Sequence, residues 1–122
     1  MCNDLGGLTK KLVAFRDARD WKQFHSAKNL CVSVALEASE LLELTQWKSD
    51  EDFGTWAANH RFIIGQECAD ILSYILLLTH ELGIDLGRAV REKIELNEDR
   101  YPVSASRGVS TKYNKLSDRD DG

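Results

Sequence analysis

The chain has 122 residues, 16 of them basic and 20 acidic, for a formal net charge of −4. That length fits one domain, and the acidic balance argues against a basic nucleic-acid platform while leaving room for a local basic cluster that meets a small anion. The longest uninterrupted aliphatic run, Ile75 to Leu78, is far short of a membrane span, and Met1-Cys2-Asn3-Asp4 lacks the basic-then-apolar pattern of a signal peptide, so a cytoplasmic protein without membrane or nucleic-acid partners is expected.

Leu5, Leu8, Leu12 and Phe15 form a helical stripe over Leu5 to Arg19. An aromatic-bearing linker, Asp20 to Ser26, follows. A second helix is expected from Ser26 or Ala27 to about Trp47. Its middle, Leu30 to Leu36, is apolar on nearly every face, which predicts burial. Lys48 to Gly54 is polar, ends in glycine and reads as a loop. A third helix is expected over Thr55 to His80, again apolar nearly all round, with Gly83 ending the region. Asp85 is a good N-cap for a fourth helix, Leu86 to Arg100, and Pro102, the sole proline, stops it. From Val103 the chain is polar, and a mobile tail is expected. The expectation is an all-α, four-helix bundle-like domain over 1–102 with a tail over 103–122: two buried central helices flanked by two amphipathic ones. Cys2, Cys31 and Cys68 are odd in number and widely spaced, unlike a disulfide framework or a thiolate metal site. Cys31 and Cys68 are expected as buried thiols.

Two matched acid pairs stand out. Glu37 with Glu40, and Glu67 with Asp70, have i, i+3 spacing inside apolar stretches. Residues three apart share a helix face, so two packed helices would converge four carboxylates. Like charges in a low dielectric repel and lose hydration, and a hard divalent cation, Mg2+ with Mn2+ as substitute, removes the conflict. The competing reading is a set of intramolecular ion pairs. It needs cations opposite the acids, and the central helices offer only Arg61 with terminal Lys28 and Lys48. A third pair, Glu92 and Glu95, sits among Arg88, Arg91 and Lys93 and reads as a solvated face. A ferritin-like centre needs Glu-x-x-His, and His25, His60 and His80 all miss that spacing.

No Gly-x-Ser-x-Gly elbow and no Walker-type loop occurs, so phosphate handling would rest on metal and basic side chains. Lys93, Asn97 and roughly Arg100 share one face of the fourth helix. Arg107, Lys112 and Lys115 lie beyond. Plain solubility and complementing of the helix dipole are the competing account of these residues. Trp21, Phe24, Trp47 and Tyr74 either pack a core or stack on a nucleobase.

Glu37-Ala38-Ser39-Glu40 followed by Glu67-Cys68-Ala69-Asp70 resembles the E-x-x-E…E-x-x-D signature of the MazG-like all-α nucleoside triphosphate pyrophosphohydrolases. Arg19-Asp20-Trp21, Gln23-Phe24-His25, Leu44-Thr45-Gln46-Trp47-Lys48, Arg100-Tyr101-Pro102, Ser106-Arg107 and Lys112-Tyr113 further resemble the dCTP pyrophosphatase branch. The similarity runs from about Leu12 to Tyr113.

The resemblance implies hydrolysis of a (deoxy)nucleoside triphosphate, dCTP or a related dNTP, between the α and β phosphates. The products are a monophosphate and pyrophosphate, and the role is cleansing of the nucleotide pool. Carried over by position, Glu37, Glu40, Glu67 and Asp70 would ligate Mg2+. Glu43 would orient or deprotonate the attacking water, with Glu40 also counted as catalytic. Trp21, Phe24, His25, Trp47 and Tyr74 would form the base and sugar pocket, and Lys93, Asn97 and Arg100 would hold phosphates. The resemblance also implies a homo-oligomer, dimer or tetramer, with sites near subunit interfaces. Leu12 stands where some relatives carry a histidine, so one polar contact to the base edge is missing from the implied pocket. Two other classes remain: a catalytically inactive nucleotide sensor, and an all-α interaction protein held by structural ion pairs.

Overall fold

A computed structural model describes residues 4–108. Among them all regular structure is helical, with six α-helices, one 3-10 turn and no strand. One compact unit ends at Ile84 and a second begins at Asp85; each is described by itself.

In the first unit, α1 (Leu5–Ala18) starts on Asp4, whose carboxylate accepts the Gly7 amide at 2.6 Å. The chain leaves α1 through Asp20 at φ 54 and a 3-10 turn, Lys22–Phe24. Ser26 caps α2 (Ala27–Glu43), accepting from the Asn29 amide. Each cap satisfies a donor that the first turn would leave unpaired.

The polar stretch expected as a loop instead opens a helix. Ser49 caps α3 (Asp50–Asn59), and Asp50, Glu51 and Asp52 fill its first turn, where the helix dipole favours anions. Gly54 lies inside α3, not at a loop end. The long third helix of the sequence reading is therefore two helices. His60 breaks them at φ −131, ψ 37, with its Nδ1 2.7 Å from the Trp56 carbonyl oxygen and its ring stacked on Trp56 at 4.2 Å and 9°. Helix α4 (Arg61–Glu81) follows and ends at Gly83, whose φ of 65 suits glycine.

Helix α4 is the hub of this unit. It packs most extensively on α2 and also meets α1 and α3. Arg16, buried on α1, pairs with Glu81 of α4 at 2.5 Å and with Asp17 at 3.1 Å. By length and mean hydropathy (1.5 over 18 residues) α4 meets the criterion for a membrane-crossing helix. Its two central acids, Glu67 and Asp70, and its packing against three helices suit a bundle interior better.

Among the described residues the fully buried apolar core is small: Leu30, Leu76 and Leu77. The two central helices are not buried all round, contrary to the reading of their apolar faces. Val32, Leu36 and Leu42 on α2, and Phe62, Ile63 and Leu72 on α4, are exposed. Cys31 and Cys68 are exposed too, not buried.

In the second unit, Asp85 caps α5 (Leu86–Arg100) through the Arg88 amide at 3.0 Å. Pro102 then precedes a single helical turn, α6 (Val103–Ser106), so the segment expected as a tail opens with a short helix.

Candidate functional site

The period of α2 and α4 places the acid pairs face to face. One carboxylate oxygen each from Glu37, Glu67 and Asp70 lie within 4.8 Å of one another. Glu40 is a close neighbour of both Glu37 and Glu67. Burial pushes the Glu37 carboxyl above its ordinary value of 4.5, and a hydrogen bond and repulsion from Glu40 and repulsion from Asp70 and Glu67 push it further. Burial likewise raises Glu67, helped by repulsion from Glu40 and Asp70, a hydrogen bond with Glu40 and repulsion from Glu43. The Tyr74 hydroxyl is raised by burial and then by Glu37, Asp70 and Glu40. Glu40 and Asp70 thus act on both Glu37 and Glu67, and Glu43 acts on Glu67.

No cation among the described residues compensates them. Among the described residues no ion pair engages Glu37, Glu40, Glu67 or Asp70. Glu37 Oε2 and Glu67 Oε2 are buried with no hydrogen-bond partner among the described residues, an arrangement that costs desolvation unless something positive sits there. The donor set is carboxylate oxygen alone, the ligand chemistry that hard divalent cations prefer. The ion-pair reading therefore loses its premise.

Beside the acids lies a cleft of about 200 Å3, lined by Leu12, Phe15, Arg16, Trp21, His25, Asp70, Ser73, Tyr74 and Leu77. It unites four of the singled-out residues: Trp21, His25, Asp70 and Tyr74. Trp21 packs edge-on to Phe15 at 5.7 Å, and His25 edge-on to Tyr74 at 6.4 Å. His25 Nδ1 is buried without a hydrogen-bond partner among the described residues. This volume is below the roughly 300–1,000 Å3 of sites that engulf drug-sized ligands; it suits one flat ring and not a whole nucleotide.

Other expected residues stand apart. Phe24 is exposed and outside this cleft. Trp47 is fully exposed, at φ 64, a left-handed conformation that a bulky side chain rarely adopts. Lys93, Asn97 and Arg100 lie on α5 in the second unit, Lys93 exposed and the other two half-buried. Arg107 is exposed; Lys112, Tyr113 and Lys115 lie outside the described residues. Sequence reasoning missed Arg16, Phe15 and Ser73 as cleft residues. Phe15 was visible as part of the first stripe, and Arg16 follows it directly; nothing in the chain marks Ser73.

The description of the MazG-like family matches residues 32–116, a span holding both acid pairs and α5. The chain belongs to the MazG-like family. Among similar proteins, dCTP pyrophosphatase 1 of Rattus norvegicus is 42% identical over 104 residues, covering 84% of this chain and 61% of that protein. The Homo sapiens protein of that name is 38% identical over the same length, with the same coverage. A crystal structure of a pyrophosphatase from Archaeoglobus fulgidus DSM 4304 superposes with a TM-score of 0.75 at 38% identity, covering 78% of this chain and 89% of that one. The MazG-like chain spans about three-fifths of the length of the dCTP pyrophosphatases it matches.

Proposed function

We propose that this MazG-like chain is a Mg2+-dependent (deoxy)nucleoside triphosphate pyrophosphohydrolase, with Mn2+ as a substitute metal and dCTP or a related dNTP as substrate. The observation that carries the reading is the convergence of Glu37, Glu67 and Asp70, with two orphaned carboxylate oxygens, beside a ring-sized aromatic cleft. The names of its relatives support the substrate class.

In this reading Glu37, Glu40, Glu67 and Asp70 hold the metal. When bound, a divalent cation neutralises triphosphate charge and lowers the pKa of water. Glu43, beside Glu67, orients the attacking water and takes its proton. The water oxygen bonds to the α-phosphorus, the bond to the α–β bridging oxygen breaks, and pyrophosphate leaves with that oxygen. Trp21, His25 and Tyr74 receive the base and sugar, with Phe24 and Trp47 joining them. Lys93, Asn97 and Arg100 hold phosphates. The exposed apolar side chains on α2 and α4, with Trp47, support a homo-oligomer whose subunits complete one another's sites. The catalytic domain spans 1–102, the remainder is a tail, and the protein works in the cytoplasm.

The test is pyrophosphate release from a panel of dNTPs and NTPs, in Mg2+ and in EDTA. Metal-dependent release of pyrophosphate plus a monophosphate is expected. Release of single phosphates would overturn the cleavage position. Binding without any release would identify a nucleotide sensor.

A further inference from the structure

Arg16 is the buried charge of the cleft. It is 3% exposed and lies on α1 one turn past Leu12, and both residues line the cavity with Ser73, His25 and Tyr74. Its guanidinium is only partly engaged. Nε donates to Asp17 at 3.1 Å and Nη1 to Glu81 at 2.5 Å. Nη2 has no hydrogen-bond partner among the described residues.

Two features fix what those remaining donors can meet. A guanidinium has donors and no acceptor, in a rigid planar fork. Its charge is already answered twice, by Asp17 and Glu81, so the local balance is one negative charge and a phosphate gains little there. A neutral carbonyl oxygen or ring nitrogen is the fitting partner, and the cleft is the size of one ring. Leu12, on the same helix face, offers a base edge only apolar contact.

We propose that Arg16 is a specificity-determining residue, with Nη2 donating to the carbonyl edge of the base, O2 of cytosine in the first instance. This rests on the nucleotide reading above for what occupies the cleft. Asp17 and Glu81 act as positioning residues that hold the fork in plane. The competing account makes Arg16 a staple between α1 and α4, with no part in choosing the base.

The experiment is a cycle of binding measurements in Mg2+ buffer, by calorimetric titration of dCMP and 2-thio-dCMP. The two ligands have nearly the same shape, but sulfur is a poor acceptor. For the wild type, replacing O2 by sulfur is expected to weaken binding about 10- to 100-fold, the effect of one charge-assisted hydrogen bond. In Arg16→Met the two ligands are expected to bind alike within about threefold. If Arg16→Met fails to fold, the double variant Arg16→Met/Glu81→Leu decides, since removing both charges leaves none buried and uncompensated. A staple would weaken both ligands equally and keep the sulfur penalty; that result overturns the proposal, as does a wild type indifferent to sulfur or unable to bind dCMP. Turnover is not read here, so a chain that binds with the sulfur penalty yet hydrolyses nothing keeps this inference and loses the hydrolase reading.

Discussion

Replacing Glu37 by glutamine should make the metal-free protein more stable, the reverse of what deleting a native side chain usually does. Glu37, Glu67 and Asp70 bring oxygens within 4.8 Å of one another, and the one side-chain contact that Glu37 shares, with Glu40, is between two acids. Like unit charges at that separation repel by roughly 1 kcal/mol in water and roughly 3.5 kcal/mol at an effective dielectric of 20. Glu37 is half-buried and Asp70 exposed, so solvent screening places the gain near the lower end, about 1–2 kcal/mol. For a chain of this size that is a rise in Tm of about 5 °C. Metal should act the other way round. At about a hundred times its Kd, a ligand of the folded state adds about 2.7 kcal/mol, or about 10 °C for the wild type, and Glu37→Gln should lose most of that response. The assay is a thermal melt of both proteins by circular dichroism, in EDTA and in millimolar Mg2+. A lower Tm for Glu37→Gln in EDTA would refute the repulsion argument. An undiminished Mg2+ response in the variant would refute the assignment of Glu37 to the metal.

Glu40→Gln and Asp70→Asn should each lower pyrophosphate release at least about 100-fold, because metal ligation acts on the transition state; near-normal turnover in both folded variants removes the assignment. The metal-free protein should gain stability as the pH falls from neutral toward 4.5. The folded Glu37 and Glu67 bind protons more readily than the ordinary value of 4.5, so the folded state holds the extra protons and stability declines as pH rises through that window. Saturating Mg2+ should flatten the slope, which melts at several pH values with and without metal would show. Trp47→Ala should leave the unfolding of the isolated chain within about 0.5 kcal/mol, since the ring is fully exposed, while weakening assembly as read by light scattering. An assembled variant indistinguishable from wild type would exclude Trp47 from an interface.

The parts of this molecule that local chemistry controls were legible in the sequence. Asp85 and Pro102 bracket α5 through a cap and a missing donor, and the structure ends the helix between them. The i, i+3 acids converge because helix period alone puts each pair on one face. The break at His60 was not legible: histidine is no helix breaker, and the interruption comes from its ring stacking on Trp56 while Nδ1 faces the Trp56 carbonyl. Gly54 misled in the opposite direction, because the Ser49 cap and the three acids of the first turn outweigh one glycine further along the helix. The apolar faces of α2 and α4 promised burial, yet periodicity says only that a face seeks apolar company and not whether the same chain supplies it. Arg16 was passed over because a charged residue beside an apolar stripe reads as solvent-facing until Glu81, 65 positions away, is seen beside it.

The three tryptophans occupy three distinct optical environments. Trp56 is half-buried and stacked on the His60 imidazole; Trp21 lies edge-on to Phe15; Trp47 stands wholly in water. The indole most open to iodide is therefore that of Trp47, with Trp21 43% exposed. Burial of that indole would move its emission to the blue and shield it from iodide, with no label attached. The protein carries its own fluorophore at the place where solvent exposure is greatest.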